Sequence, residues 1–367
     1  MSTLDIISNG HGEDMIAATI IRALEDQPIA NVFPLVGNGA AYSSMGITPT
    51  ITQPPLPSGG FVFGLNDFLT DIRAGFLGQL WRQSVALRQS TASAQLVVGD
   101  VYALFMATWH TKRPTVFFPT AKSERAIPHY AIERMFIKAK AQLVFPRDIE
   151  THRMFQSYGI RSRFFGNPMF DHMVSDAQQQ SELSVALLPG SRDEGIGNIG
   201  LMLDVIDQLN LNRPVNFCFA LPQHFGAHTL AAAIANRPWV IQSSPLQLQH
   251  AQQSICIQVS HSFFDALQAA NVVIGLAGTA NEQAMHAKRQ LISFVGTGPQ
   301  SSKQRFLAQH QLIDGASPVF IDSSQPSIIA NHLRDLLSNQ MFVWTPLSDH
   351  LQSASTAIAG CLMQEFL

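Results

Sequence analysis

Three glycine-marked stretches carry the side chains that could bind or transfer a charged group. The first is LLPGSR, residues 187–192. An apolar run at 185–188 meets a tight turn, Pro189-Gly190-Ser191, and a helix is expected from there to about residue 209. Such a strand, turn and helix start leave backbone N–H groups unpaired at the positive end of a helix dipole, which suits a phosphate. Ser191 can add a hydroxyl, and Arg192 a planar fork that matches phosphate oxygens. The same residues would also make an ordinary strand-to-helix turn with a solvated arginine. Asp193 and Glu194 fit a first helical turn but would repel a diphosphate unless they point away.

The second stretch is GLAGTANEQAMHA, 275–287, which follows an apolar run at 272–274 and opens a helix. Gly278 and Thr279 can present N–H and O–H donors to a phosphate. Glu282, in or near the first turn, can accept from both hydroxyls of a ribose, although Glu there can also be no more than dipole compensation. Gln283 follows it. GTGPQ at 296–300 is a further glycine-rich strand exit that could close the same crevice.

The third stretch is SNGHGED, 8–14. Gly10 and Gly12 match the first two glycines of a dinucleotide fingerprint, but Met15 stands where the third should be, and no acid ends the second strand. A nicotinamide cofactor is therefore not expected. His11, Glu13 and Asp14 would line the rim outside the strand ends, where open α/β sheets bind ligands. Asp100 ends the apolar run 95–98 and could be a general base or the cap of the next helix. Pro119-Thr120-Ala121-Lys122 forms the next crevice loop, and Gly166-Asn167-Pro168 a hinge-side turn. No Asp-x-Asp pair ends a strand, so no obligatory metal is expected.

The elements needed to hold these residues recur along the chain. Strands are expected at 4–8, 32–36, 95–98, 115–118 and 142–145, then at 185–188, 215–220, 255–259, 272–274, 291–294 and 319–321. Helices fit at 15–24, 66–89 and 149–158, then at 196–209, 224–236, 263–269, 280–287, 303–310, 327–337 and 348–366. This alternation implies parallel sheets covered on both faces. At 367 residues the chain favours two domains, because single cores usually stop growing at ~250–300 residues. It is 46% hydrophobic and 13% charged, with net charge -3 and mean hydropathy +0.10. That composition buries large cores and shows no electrostatic footprint for nucleic acid. Cys218, Cys256 and Cys361 have no metal-ligand spacing and are expected to be buried small hydrophobes. The opening MSTLDIISNG lacks the basic start and long apolar run of a signal peptide, which points to a cytoplasmic protein. Phe61, Val62, Phe63, Phe76, Leu77 and Trp81 form an aromatic-rich group, either a helix packed on its sheet or a patch that meets lipid.

LLPGSR, GLAGTANEQA (275–284), SNGHGED and GNPMFD (166–171) resemble the lipid-A-disaccharide synthases and their relatives, above all the related group found in cyanobacteria. The resemblance covers most of the chain and implies an inverting GT-B glycosyltransferase. That fold is α/β, two Rossmann-like domains whose parallel sheets face across a cleft. By position, an acceptor-side domain would span 1–175 and a nucleotide-sugar domain 182–345, with a closing helix at 346–367. The implied co-substrate is a UDP-sugar, with no other cofactor. The implied acceptor is a lipid or lipid-linked molecule; the expectation of peripheral membrane contact near 61–81 rests on the aromatic-rich composition there. Gly190, Ser191, Arg192, Gly278 and Thr279 would hold the diphosphate, and Glu282 and Gln283 the sugar hydroxyls. Gly10, Gly12, Asp14 and Asn167 would belong to the acceptor side. The synthase pattern there is Gly-Glu then Ser-Gly-Asp; Asp14 takes the aspartate's place, while Gly10 stands near the glutamate's. Asp100, then His11 or Glu13, are the base candidates. A UDP-sugar 2-epimerase on the same fold, or a non-catalytic nucleotide-sugar or lipid binder, are the alternative functions.

Overall fold

The run LDIIS, with every side chain buried, has nowhere to go but the middle of a sheet covered on both faces. It forms β1 (Leu4–Ser8), the centre of the first of two compact units in the computed structural model. The structure describes residues 2–24, 28–52, 76–109, 111–171, 182–191, 193–298, 301–312, 317–339, 342 and 353–367. One unit comprises Met1–Asp171 with His350–Leu367, the other His172–Asp349.

After β1 come α1 (His11–Ala23), β2 (Ile29–Pro34), the single turn α2 (Ala40–Ser43), α3 (Phe76–Gln89), β3 (Ala94–Gly99) and α4 (Val101–Thr108). Then follow β4 (Thr115–Pro119), α5 (Ala131–Lys140), β5 (Leu143–Val144), α6 (Ile149–Ser157) and a 3-10 turn, Pro168–Phe170. The sheet is parallel, in the order β2-β1-β3-β4-β5. Alternate residues of β1 divide between two cores. Leu4 and Ile6 pack with Ile16, Ile20 and Val98, while Ile7 packs with Phe33, Val97 and Phe117. Helix α5 was not anticipated. Its amphipathic spacing buries only Ile137 completely, so its apolar signal is thin.

The second unit runs β6 (Leu183–Leu188), α7 (Glu194–Asp207), β7 (Val215–Ala220), α8 (Ala227–Ile234), β8 (Trp239–Ser243), β9 (Leu246–His250) and β10 (Cys256–Ser260). It continues with α9 (Phe263–Ala269), β11 (Val272–Gly275), α10 (Thr279–His286), β12 (Gln290–Phe294), α11 (Lys303–His310), β13 (Val319–Ile321) and α12 (Pro326–Asn339). The eight strands lie in the order β13-β12-β11-β6-β7-β10-β9-β8. Six are parallel, and β9 and β8 form an antiparallel hairpin at the edge. This hairpin departs from the expected all-parallel pattern. Its strands carry Gln242, Gln247 and Gln249, which hide the alternation of Trp239, Leu248 and His250 toward the core. The cysteine expectation fails at the same edge: Cys256 is exposed because alternate residues of β10 face out, and Cys218 is half-buried. Only Cys361 is fully inside.

The last helix, α13 (Ala354–Glu365), packs on α1 of the first unit and adds Ile358, Ala359 and Leu362 to its core. Residues 61–75 of the proposed lipid-facing group lie outside the described residues, as do the side chains of Phe76 and Leu77; Trp81 on α3 is 69% exposed. Among the described residues no helix is long and apolar enough to cross a membrane.

Candidate functional site

Strand order fixes where ligands can sit. In the second unit the chain leaves β6 toward β7 and β10, then returns across β6 to build β11, β12 and β13. The switch point therefore lies between β6 and β11, and ligand crevices form outside the strand C-termini at such points. Leu188 pairs with Gly275 in that register, and the Leu276 N–H donates to Leu188 O at 2.8 Å. Three glycine-bearing exits thus stand side by side: 189–191 after β6, 276–278 after β11 and 296–298 after β12.

Gly190 turns with φ +103°, a conformation that suits glycine, and the nearest atom to a side chain added there is Leu276 O at 3.8 Å. Ser191 is exposed, while Arg192 lies outside the described residues. Helix α7 begins just beyond. Its N-cap Asp193 makes no side-chain cap bond, so the cap leaves the first-turn N–H groups to other acceptors. Gly278 is the N-cap of α10, and Thr279, its first residue, is exposed. Glu282 lies in the first turn of α10, as expected from sequence, but is only 4% exposed; Gln283 is half-buried.

The residue that ties these exits together was missed. Asn198, buried on α7, donates to Pro189 O (2.9 Å) and Thr297 O (3.2 Å), and accepts from the Thr297 N–H (2.7 Å). One amide thus fixes the β6 exit against the β12 exit. Gln309 on α11 does similar work, donating to Gly278 O at 3.0 Å. The sequence signal for Asn198 was an asparagine inside the otherwise apolar face of Ile196, Ile199 and Leu203.

The first unit repeats the logic. Its switch point lies between β1 and β3, so the exits after Ser8 and Gly99 adjoin. Gly99 has φ +155°, and a side chain there would stand 2.8 Å from Asn9 Cβ and 3.1 Å from Ala103 Cβ, so only glycine lets the two exits approach. Gly10 is the buried N-cap of α1, with half-buried Gly12 in its first turn; the His11 side chain lies outside the described residues. Glu13 accepts from the Thr120 hydroxyl at 3.0 Å, joining the β4 exit. Burial pushes its carboxyl above the ordinary range; Asp100 nearby adds to this, while its own backbone N–H, Thr120 and Arg147 oppose it.

Asp14 does not line a rim. It is 1% exposed, accepts from the Ser8 hydroxyl at 2.6 Å, and Ser8 in turn accepts from the Tyr42 hydroxyl at 2.6 Å. Burial raises its carboxyl to about 7 against the opposing Ser8 bond, and Glu13 adds repulsion. Asp100 is the N-cap of α4, accepting from the Ala103 N–H at 2.9 Å. Its carboxyl is raised by burial, while the N–H groups of Ala103 and Tyr102 and the Asn9 side chain stabilise the charged form. Of its two sequence readings, the structure displays the cap. Asn167 is also a cap, accepting from the Met169 N–H at 3.1 Å. Among the described residues no group of three or more His, Cys, Asp or Glu side chains could hold a metal ion.

No family model matches the chain, and no curated protein matches it. Solved structures do resemble it end to end. MurG of Acinetobacter baumannii shares 13% identity, with TM-score 0.58 over 99% of this chain and 100% of MurG. A putative UDP-N-acetylglucosamine 2-epimerase from Listeria monocytogenes shares 13% identity, with TM-score 0.57 over 100% of this chain and 96% of the epimerase. The spinosyn rhamnosyltransferase SpnG, complexed with thymidine diphosphate, shares 14% identity, with TM-score 0.57 over 100% of this chain and 96% of SpnG. At such identities the likeness is one of fold. The chain has the GT-B fold, α/β with two Rossmann-like units.

Proposed function

We propose that the chain is an inverting glycosyltransferase that moves a sugar, of N-acetylhexosamine type, from a UDP-sugar to a lipid or lipid-linked acceptor. The observation that carries this reading is the trio of glycine exits around the β6/β11 switch point, joined by Asn198 between the β6 and β12 exits and by the Leu276–Leu188 bond between the β6 and β11 exits, beside the N-terminus of α7. Backbone N–H groups and a helix dipole aimed at one point suit the charge that grows on a departing diphosphate. Gly190, Ser191, Arg192, Gly278 and Thr279 would receive that diphosphate, and Glu282 with Gln283 the sugar hydroxyls. The acceptor class comes from the resemblance to lipid-A-disaccharide synthases. Gly10 and Gly12 would serve it through backbone, and Asp14 and Asn167 by holding the surrounding loops. The proton acceptor belongs at the exits of the first unit, near His11, Glu13 and Asp100. No metal is required on this reading, because Arg192 and the N-terminus of α7 would replace it; turnover that collapses in excess EDTA would contradict it.

The test is a thermal-shift panel of UDP, GDP and their N-acetylhexosamine conjugates, since ligands bound only by the native state raise its melting point. UDP and its conjugate are expected to do so. Arg192→Ala and Glu282→Ala are each expected to weaken UDP-sugar binding roughly tenfold or more. Unchanged affinity in both variants removes the donor assignment. A 2-epimerase is the second reading, favoured by a likeness (TM-score 0.57) level with that to MurG (0.58). Incubation with UDP-N-acetylglucosamine alone separates the two, because only an epimerase converts the sugar without an acceptor.

A further inference from the structure

The pocket beside Asp100 holds a histidine that the sequence did not single out. Gly99, Asp100, Pro119, Lys122, His129 and Glu133 line a space of about 30 Å³ at the C-terminal ends of β3 and β4. That is room for one hydroxyl group or one water. His129 is 3% exposed. Its Nδ1 lies 3.0 Å from Glu124 Oε1, and the same oxygen accepts the His129 backbone N–H at 2.9 Å. The ring rests edge-on against Phe155, centroids 5.0 Å apart. Among the described residues the ring's hydrogen bond is the one at Nδ1, to Glu124.

The loop that carries this pair is braced. The Glu124 N–H donates to Thr151 Oγ1 at 3.0 Å, and Arg125 forms a two-point ion pair with Glu150 at 2.5 and 2.9 Å. A carboxylate that fixes Nδ1–H leaves Nε2 as a free lone pair, which is the arrangement of an oriented general base. Asp100 across the pocket is committed to capping α4.

We propose that the Glu124–His129 pair is the proton acceptor on the acceptor side, with His129 Nε2 as the base and Glu124 as its positioning residue. The inference rests on the transferase reading above. The acceptor hydroxyl oxygen bonds to the anomeric carbon of the nucleotide sugar, and the bond from that carbon to the diphosphate oxygen breaks. The electron pair leaves with the nucleoside diphosphate, and the hydroxyl proton passes to Nε2. Glu124 then faces the imidazolium it stabilises. The other charged groups around the residue, among the described ones, are Glu133, Lys122 and Asp100, with Lys122 and Glu133 joined at 2.7 Å, and Arg134, which donates to the His129 carbonyl. Burial holds the imidazole below its ordinary range against the pull of Glu124, so it is neutral and able to accept a proton at neutral pH.

The experiment compares the full chain with His129→Gln and Glu124→Gln, following UDP binding by thermal shift and UDP release from UDP-N-acetylglucosamine with octyl β-glucoside as the acceptor probe. His129→Gln is expected to lose at least 100-fold in release, the usual scale of a general base, with UDP binding unchanged. Glu124→Gln is expected to lose about 10-fold and to shift the acid limb of the pH profile to lower pH, because the imidazolium loses its countercharge. Nitrogen-15 spectra of histidine-labelled protein are expected to show His129 neutral and protonated on Nδ1 at pH 7.5. Release by His129→Gln at the wild-type rate overturns the proposal, as does a proton on Nε2, or a wild-type chain that binds UDP and releases none. Failure to bind any nucleotide removes the transferase reading instead, and the spectra then decide the state of the pair by themselves.

Discussion

Asp14 has little room to be charged. With 1% exposure and a single hydroxyl donor, its carboxyl is raised to about 7. A raised carboxyl favours folding below its unfolded value, near 4, and loses that contribution as pH climbs through 7. The full effect is on the order of 4 kcal/mol. Asp14→Asn keeps an acceptor for Ser8 and removes the charge, so chemical denaturation should find it ~1–3 kcal/mol more stable than wild type at pH 8 and level with it at pH 4. Equal stability at both pH values would mean that Asp14 is solvated. Asn198 is the opposite case, a buried amide with all its bonds made. Asn198→Ala strands Pro189 O and removes the acceptor of the Thr297 N–H, while Thr297 O keeps the Ser301 hydroxyl, so a loss of roughly 1–2 kcal/mol is expected, with weaker UDP binding. At this scale the glycines were legible, because sharp turns at strand exits demand them. The polar residues that bind those turns were not, since Asn198 and Gln309 acquire meaning only from elements distant in sequence.

At the scale of elements, α13 depends on a residue far from it in the chain. Asp171 accepts from the N–H groups of Ala354 (2.9 Å) and Ser355 (2.6 Å) and from the Ser353 hydroxyl (2.9 Å). At the other end Glu365 meets Arg161 at 2.6 Å and Arg163 at 2.5 Å. The exposed arginine pairs contribute little, whereas the cap satisfies N–H groups that no other helix residue can reach. Asp171→Ala should therefore lower stability by about 1–3 kcal/mol and speed proteolysis at 353–360, while Arg161→Ala should leave both nearly unchanged. The strands that were legible, β1, β3, β6 and β11, are continuous apolar runs, the mark of strands buried on both faces. The β8–β9 hairpin was not, because an edge strand needs apolar residues on one side only and fills the other with glutamine. Helix α5 was lost for a related reason: its outward Ile132 and Met135, 75% and 71% exposed, blur the boundary between buried and open faces.

At the scale of the molecule, the two sheets have the same doubly wound plan but differ in what stands at the switch point. The first unit places carboxyls there, Glu13 and Asp100, with Asp14 buried behind them. The second places glycine turns and helix N-termini, α7 and α10. On the transferase reading the anion goes to the second set, with Glu194 and Glu282 of its first helical turns pointing away from the diphosphate. The alternation of strands and helices was enough to foresee both sheets, and the glycine stretches to foresee the sharp strand exits beside each switch point. The charge contrast depended on which carboxyls become buried, which no local pattern reports. Hydrogen exchange on the full chain with and without UDP measures the consequence directly. Protection is expected at 189–198, 276–283 and 296–298, where N–H groups at the exits gain a phosphate acceptor. Residues 9–14 and 99–103 should exchange at the same rates in both samples, because a diphosphate has no favourable place among those carboxyls. Protection centred on 9–14 or 99–103 instead would move the nucleotide to the other unit and reverse the assignment of donor and acceptor sides.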